Sequence, residues 1–287
     1  MGIVNCTPDS FYANSRRLNE EQALETALDM VKSGADILDI GGESTRPGAP
    51  AVNAEEQIQR IVPVIQKIRQ NSLIPISVDT RLASVAQAAL DAGATMVNDI
   101  SALEGDEAMG PLVAQRQVPI VLMHMQGIPE TMQNNPHYHN VVQDVCQGLQ
   151  KAVDRALAYG IHQENIILDP GIGFGKRQQD NAALLAHLSK LRLSNLPLLV
   201  GLSRKSFLGA VLAADQVRLE EGRPSLYTSE GELRHSLQAP PPPEDRGDAT
   251  LAAHAWCLQA NVDILRVHDV KQTRQLLAVW EAIAWAS

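Results

Sequence analysis

One pattern of apolar and polar positions returns along the chain. An apolar stripe at helical spacing ends at Gly or Asn, a short apolar run follows, and a polar residue closes the run. Leu24, Ala27, Leu28 and Val31 form such a stripe, and Gly34 separates it from Ile37, Leu38, Asp39 and Ile40. Val85, Ala89 and Leu90 precede Gly93 and the run 96–100; Gly160 precedes 166–169, and Asn261 precedes 264–268. Gly and Asn tolerate the left-handed conformation that ends a helix. Short, β-rich apolar runs suit parallel strands buried on both faces. The pattern predicts strands at 3–6, 37–41, 76–79, 96–100, 119–124, 166–169, 198–203 and 264–268. Helices lie between them; Ile58, Ile61, Val62, Ile65 and Ile68 make one clear stripe, and Leu276, Val279, Trp280 and Ile283 make the last.

About eight βα repeats indicate an α/β chain and favour a single closed (β/α)8 TIM barrel over a doubly wound sheet. The length of 287 residues suits one such barrel, which needs about 250. The chain 1–287 therefore reads as one domain. The stretch at about 214–247 breaks the rhythm: it is rich in charge, lacks a sustained apolar period and ends in the prolines 240–243. It reads as a mobile insertion after the seventh strand, too poor in apolar residues to fold alone. The chain starts almost on its first strand, so either the barrel floor is expected to be more open or further residues precede the given sequence.

Composition narrows the function. Aromatics are 3% against 45% hydrophobic residues, so the core must be aliphatic. A net charge of −9 argues against nucleic acid or an anionic membrane as partner. The three cysteines are scattered without metal-ligand spacing and read as reduced thiols. With no stretch near the roughly 18 apolar residues of a membrane span and no signal-peptide pattern, the expected location is cytoplasmic.

Polar residues gather where the runs end. Asn5 ends the first; Asp39 and the loop 41–48 belong to the second; Asp79 ends the third and Asn98 and Asp99 the fourth. His124 ends the fifth, Asp169 the sixth, Ser203, Arg204 and Lys205 the seventh, and Arg266, His268 and Asp269 the eighth. In a barrel these ends converge on one face, where barrel enzymes carry their sites. Charges at the ends of buried strands are costly unless paired or bound to something, so their accumulation points to an enzyme. Asp79, Asn98, Asp169 and Lys205 offer the donors and acceptors that suit a flat heterocycle rich in ring nitrogens. Thr45, Arg46, Arg266 and His268 suit an anion, and with Asn5 as an oxygen ligand they suit a diphosphate with Mg²⁺. A heterocycle beside a diphosphate suggests a transferase with pyrophosphate as leaving group. Its catalytic set would be Asp79, Asp169, Lys205 and Arg266.

Seven motifs carry a family resemblance, in family order: the stretches 5–11, 41–48, 78–80, 97–99, 168–176, 201–207 and 266–269. Together they resemble the dihydropteroate synthases, pterin-binding enzymes of folate biosynthesis. The resemblance implies condensation of 6-hydroxymethyl-7,8-dihydropterin diphosphate with p-aminobenzoate, giving 7,8-dihydropteroate and pyrophosphate. Asp79, Asn98, Asp169 and Lys205 would hold the pterin, Asn5 would help hold Mg²⁺, and Thr45, Arg266 and His268 would contact the diphosphate. Phe174, Lys205 and Ser206 would border the p-aminobenzoate site with the loops around Pro8 and Phe11 and around Thr45, Arg46 and Pro47, and sulfonamides would compete there. It also implies a homodimer, for which the last helix with Trp280 and Trp285 offers a face, although packing of that helix on the barrel explains its apolar residues equally well. The alternatives are a corrinoid-linked pterin methyltransferase, which needs no diphosphate set, and a non-catalytic pterin-binding protein.

Blander roles stand beside several of these residues. Asp39 suits a pair inside the barrel, and His124 suits either a satisfied strand end or a ligand contact. Arg266, within an apolar strand, needs an anionic partner from the protein or from a ligand. Glu43 and Asp269 read as loop-stabilising, and His137, His139 and His254 as surface or packing residues.

Overall fold

A computed structural model describes residues 1–7, 15–44, 48–228, 233 and 239–286, with the backbone alone at 15–19. Strands and helices alternate: β1 Gly2–Asn5, α1 Ser15–Lys32, β2 Leu38–Gly41, α2 Ala54–Asn71, β3 Ile76–Asp79, α3 Ala83–Ala92, β4 Met96–Asp99, α4 Met109–Arg116, β5 Ile120–Met123 and α5 Val141–Ala158. Then come β6 Ile166–Asp169, α6 Gln178–Ala186, β7 Leu199–Gly201, α7 Ser206–Glu220, α8 Gly247–Gln259, β8 Ile264–Arg266 and α9 Val270–Trp285. All strand pairing is parallel, with β1 to β6 in sequential order and β7 beside β8. Single bridges make the two remaining seams, Leu168 to Leu198 between β6 and β7 and Gly2 to Val267 between β8 and β1. At the second seam the Ile3 amide donates to the Val267 carbonyl at 2.9 Å, and the Val267 amide donates to Met1 at 2.9 Å. The ring of a TIM barrel follows from these contacts.

Strand alternation sorts the residues. Outward positions such as Val4, Leu38, Ile40, Val78, Leu122 and Leu168 join the helices in one continuous aliphatic core. Inward positions near the strand starts form a separate apolar floor of Met1, Met96, Val121, Ile167 and Leu199, with Ile37 and Ile264. Toward the C-terminal ends the inward positions turn polar, with Asp39 opposite Ser77 and Asp79 opposite Asn98. A cavity of about 300 Å³ lies on the floor side, among Met1, Ile37, Val262, Ile264 and Leu277.

Helix ends follow the predicted chemistry. Gly34, Gly93, Gly160 and Asn261 all have positive φ, between 55° and 114°. The predicted strand limits hold within a few residues, but β8 stops at Arg266 rather than at 268. There the Ser203 hydroxyl accepts the His268 amide at 3.2 Å, so a side chain replaces the ladder.

One expectation changes. The segment 214–247 is not one insertion, because 214–220 is the end of α7. Those turns are helical without an apolar period because Arg218 pairs with Asp215, Gln216 bonds Glu220, and Ala213 and Ala214 alone are buried. The proline run then leads into a short 3-10 turn, Pro243–Arg246, whose Arg246 donates to the carbonyls of Pro241 and Arg204. That docks the segment beside the exit of β7. The expected mobility falls partly on 229–232 and 234–238, outside the described residues. The last stripe is split: Val279 and Ile283 are 60% and 67% exposed, while Val270 and Thr273 at the start of α9 are buried and Leu277 lines the floor cavity.

Candidate functional site at the barrel mouth

Inside the mouth the polar residues form a continuous network. Arg266 on β8 donates from Nε to Asp39 Oδ2 at 2.6 Å and from Nη2 to Asp79 Oδ2 at 2.7 Å. Asn98 Nδ2 donates to the same Asp39 oxygen at 3.0 Å. Asp39 thus takes the barrel-pairing role, and one guanidinium bridges two carboxylates. The second oxygens of Asp39 and Asp79, and the Ser77 hydroxyl, are buried and have no partner among the described residues. Buried acceptors left unmade are costly, so this wall is prepared for donors from outside. Gly41 and Gly201 face inward at the top of their strands; a Cβ there would stand 3.5 Å from Asp79 and 3.8 Å from Arg266. Their missing side chains keep the space above the network open.

Burial sets the charges. It pushes the Asp79 carboxyl up to about 7 against the pull of Arg266. It also raises Asp169, against the attraction of Lys205. Lys205 is drawn down to about 8 by burial, with Asp169 opposing. Desolvation penalises each charged form, and an opposite charge restores part of it.

The loop after β6 forms the neighbouring wall. Asp169 Oδ1 accepts the Gly171 amide at 2.7 Å, so Asp169 shapes the turn while standing at the mouth. Gly171, Gly173 and Gly175 all have positive φ, a region that side chains with a Cβ rarely enter. The chain therefore doubles back tightly enough to bring Phe174 under Lys205, whose Nζ lies 4.5 Å from the ring centroid. Lys205 also donates to the Ile172 carbonyl. Ser206 follows as the exposed first residue of α7.

Asn5 is exposed at the end of β1, in register with Gly41. His268 Nδ1 lies 3.0 Å from the Ser203 hydroxyl. Thr45, Arg46 and Pro47 lie outside the described residues, as do Pro8 and Phe11. The stalk of that second loop is fixed by Glu43, which accepts the Val52 amide at 2.9 Å and pairs with Arg81 at 3.4 Å. Asp269 pairs with Arg204 through two bonds, of 2.6 and 3.1 Å. Both thus have the loop-stabilising roles expected of them. His137 and His139 are exposed and His254 is fully buried, in keeping with surface and packing roles. No cluster of three or more His, Cys, Asp or Glu that could hold a metal occurs among the described residues.

Sequence reasoning passed over Lys176, which is 3% exposed and lies 3.1 Å from His124 Nδ1. His124 is therefore a satisfied strand-end histidine. A lysine directly after a Gly-rich turn gives no periodic signal of burial.

A family profile described as pterin binding enzyme matches residues 1–268. A curated dihydropteroate synthase of Synechocystis sp. is 42% identical over 283 residues, covering 99% of this chain and 89% of the relative. A solved Xanthomonas albilineans dihydropteroate synthase with 4-aminobenzoic acid superposes with a TM-score of 0.82 at 41% identity, over 99% of this chain and 92% of the other. A Yersinia pestis dihydropteroate synthase in a sulfonamide complex gives 0.84 at 38%, over 99% and 93%.

Proposed function

Since this chain belongs to the dihydropteroate synthase family of pterin-binding enzymes, we propose that the network under its barrel mouth performs the family's transfer. The chain is a transferase of folate biosynthesis. It joins 6-hydroxymethyl-7,8-dihydropterin diphosphate to p-aminobenzoate and releases pyrophosphate. The observation that carries the site assignment is the set of orphaned acceptors on Asp39 and Asp79 beside Asn98, Asp169 and Lys205. A pterin ring presents a dense row of N–H donors and ring acceptors, which such a wall matches.

In this reading Asp79, Asn98 and Asp169 take the ring donors and Lys205 donates to its acceptors. Arg266 holds Asp79 in place and, with Thr45, Arg46 and His268, would bind the diphosphate. Ionised Asp79 stabilises positive charge that develops on the pterin methylene as pyrophosphate leaves. The arylamine then attacks that carbon from the side of Phe174, Lys205 and Ser206, and sulfonamides occupy the same place. No protein nucleophile is required. Burial pushes the Cys6 and Cys257 thiols up to about 12, which keeps them inert.

Mg²⁺ fits a site with few protein ligands. Asn5 offers one amide oxygen at the mouth, which suits an ion held mainly by phosphate oxygens and water. When bound, the ion would neutralise charge on the leaving diphosphate. A cytoplasmic location is supported by three free cysteines and by the lack of any membrane-length apolar helix among the described residues. A homodimer through α9 is supported by its exposed Val279, Ile283 and Trp285.

Pyrophosphate release from the purified protein with dihydropterin methyl diphosphate tests the assignment. Release should rise with p-aminobenzoate, yield dihydropteroate, and stop on chelation of Mg²⁺ by EDTA. Pterin binding without release would support the non-catalytic alternative instead.

A further inference from the structure

Phe174 is held from two sides, and only one holder belongs to the site described above. Lys205 lies over its ring and bonds the Ile172 carbonyl. From the other side the buried Lys176 ammonium lies 3.0 Å from the Phe174 carbonyl, 3.1 Å from the His124 carbonyl and 3.1 Å from His124 Nδ1. An ammonium has three N–H donors, and these three acceptors use them all. None is a carboxylate. A buried cation without a bonded carboxylate is costly, and an apolar residue would fill the same volume without that cost. What the lysine adds is a tie between the end of β5 and the turn after β6.

The receiving side is built for it. The His124 amide donates to the Asp169 carbonyl at 2.9 Å, so the histidine is locked to β6 by its own backbone. Its ring packs on α5 at Gly148, where a Cβ would stand only 2.5 Å from His124 Cδ2. Burial holds His124 down to about 3, with Lys176 adding to the effect. The ring is therefore neutral; burial also draws Lys176 down to about 7, and in its protonated form the ammonium donates to Nδ1.

We propose that Lys176, seated on His124, is a positioning residue for the arylamine substrate: it fixes the turn 170–176 so that Phe174 stands at a set distance from Lys205. The proposal rests on the reading of Phe174 as a wall of the p-aminobenzoate site. It assigns Lys176 no contact with either substrate.

The test is the steady-state KM for p-aminobenzoate beside the Kd for the pterin substrate, in Lys176→Met, Phe174→Ala and the double variant. Lys176→Leu, which likewise keeps no donor, serves if Lys176→Met does not fold. Phe174→Ala should raise the KM. Lys176→Met leaves all three acceptors without their donor and should raise it by about tenfold, with the pterin Kd within about twofold. The double variant should be no worse than Phe174→Ala. A folded Lys176 variant with unchanged KM, beside a raised KM in Phe174→Ala, would overturn the positioning role and leave the site reading intact. Equal weakening of both substrates would reduce Lys176 to a general stabiliser and also overturn it. An unchanged KM in Phe174→Ala would remove the site reading and the proposal with it.

Discussion

Asp79 and Lys205 bracket neutral pH from opposite sides. Burial places the Asp79 carboxyl at about 7 and the Lys205 ammonium at about 8. The proposed chemistry needs the first ionised and the second protonated. Below about 7 Asp79 gains a proton and loses its acceptor and its charge; above about 8 Lys205 loses its donor cation. The kcat/KM for the pterin substrate should therefore follow a bell between these values. Asp79→Asn should lower the maximum and remove the acidic limb, while Lys205→Met should remove the alkaline one. A profile in Asp79→Asn that still falls on the acid side would deny Asp79 this role. Arg266 shows why residue roles need the partner as well as the type. An arginine within an apolar strand announces an anion, and the protein supplies two, Asp39 and Asp79, before any ligand arrives.

The turn after β6 decides more of the site than any other element. It supplies Phe174, carries Lys176, and bonds Asp169 through Gly171. Its tightness comes from glycine. Gly171 has φ of 64°, and a Cβ there would stand 2.0 Å from the His124 carbonyl. Gly160, between α5 and β6, also has positive φ, at 85°, but nothing lies near its absent Cβ. Gly160→Ala should therefore cost only about 1–2 kcal/mol of backbone strain. Gly171→Ala should cost more, because the turn must move away from β5, and should raise the KM for p-aminobenzoate. Urea denaturation and steady-state kinetics on the pair would check this; equal losses would mean that the contact with His124 does not matter. Helix α7 carries a second lesson at this scale. Its last turns lack an apolar stripe and hold by Arg218 to Asp215 and similar local pairs, so apolar periodicity alone understated the helix.

At the scale of the molecule the barrel closes through two thin seams and leaves one helix half uncovered. The exposed end of α9, with Ile283 and Trp285, is an apolar surface that water does not favour. If a second copy covers it, Ile283→Asp should convert dimer to monomer in sedimentation while leaving the barrel folded. An unchanged dimer would place the interface elsewhere. The alternation of side chains along eight short strands explains the layering: aliphatic outside, an apolar floor, and a polar mouth. That much was legible from residue order, because strand period and helix stops are local properties. So was the gathering of Asn5, Asp79, Asn98, Asp169, Lys205 and Arg266 on one face, since parallel strands share their C-terminal ends. Pairing was not legible. Asp39 and Arg266 lie 227 residues apart and meet only because the ring closes. Lys176 finds His124, 52 residues away, only once the glycine turn folds back. The stripe on α9 suits either the barrel or a second copy in sequence, and in the fold it is split: Leu276 and Trp280 are half-buried while Val279 and Ile283 are exposed. Periodicity states which face of an element is apolar; only packing decides what lies against it.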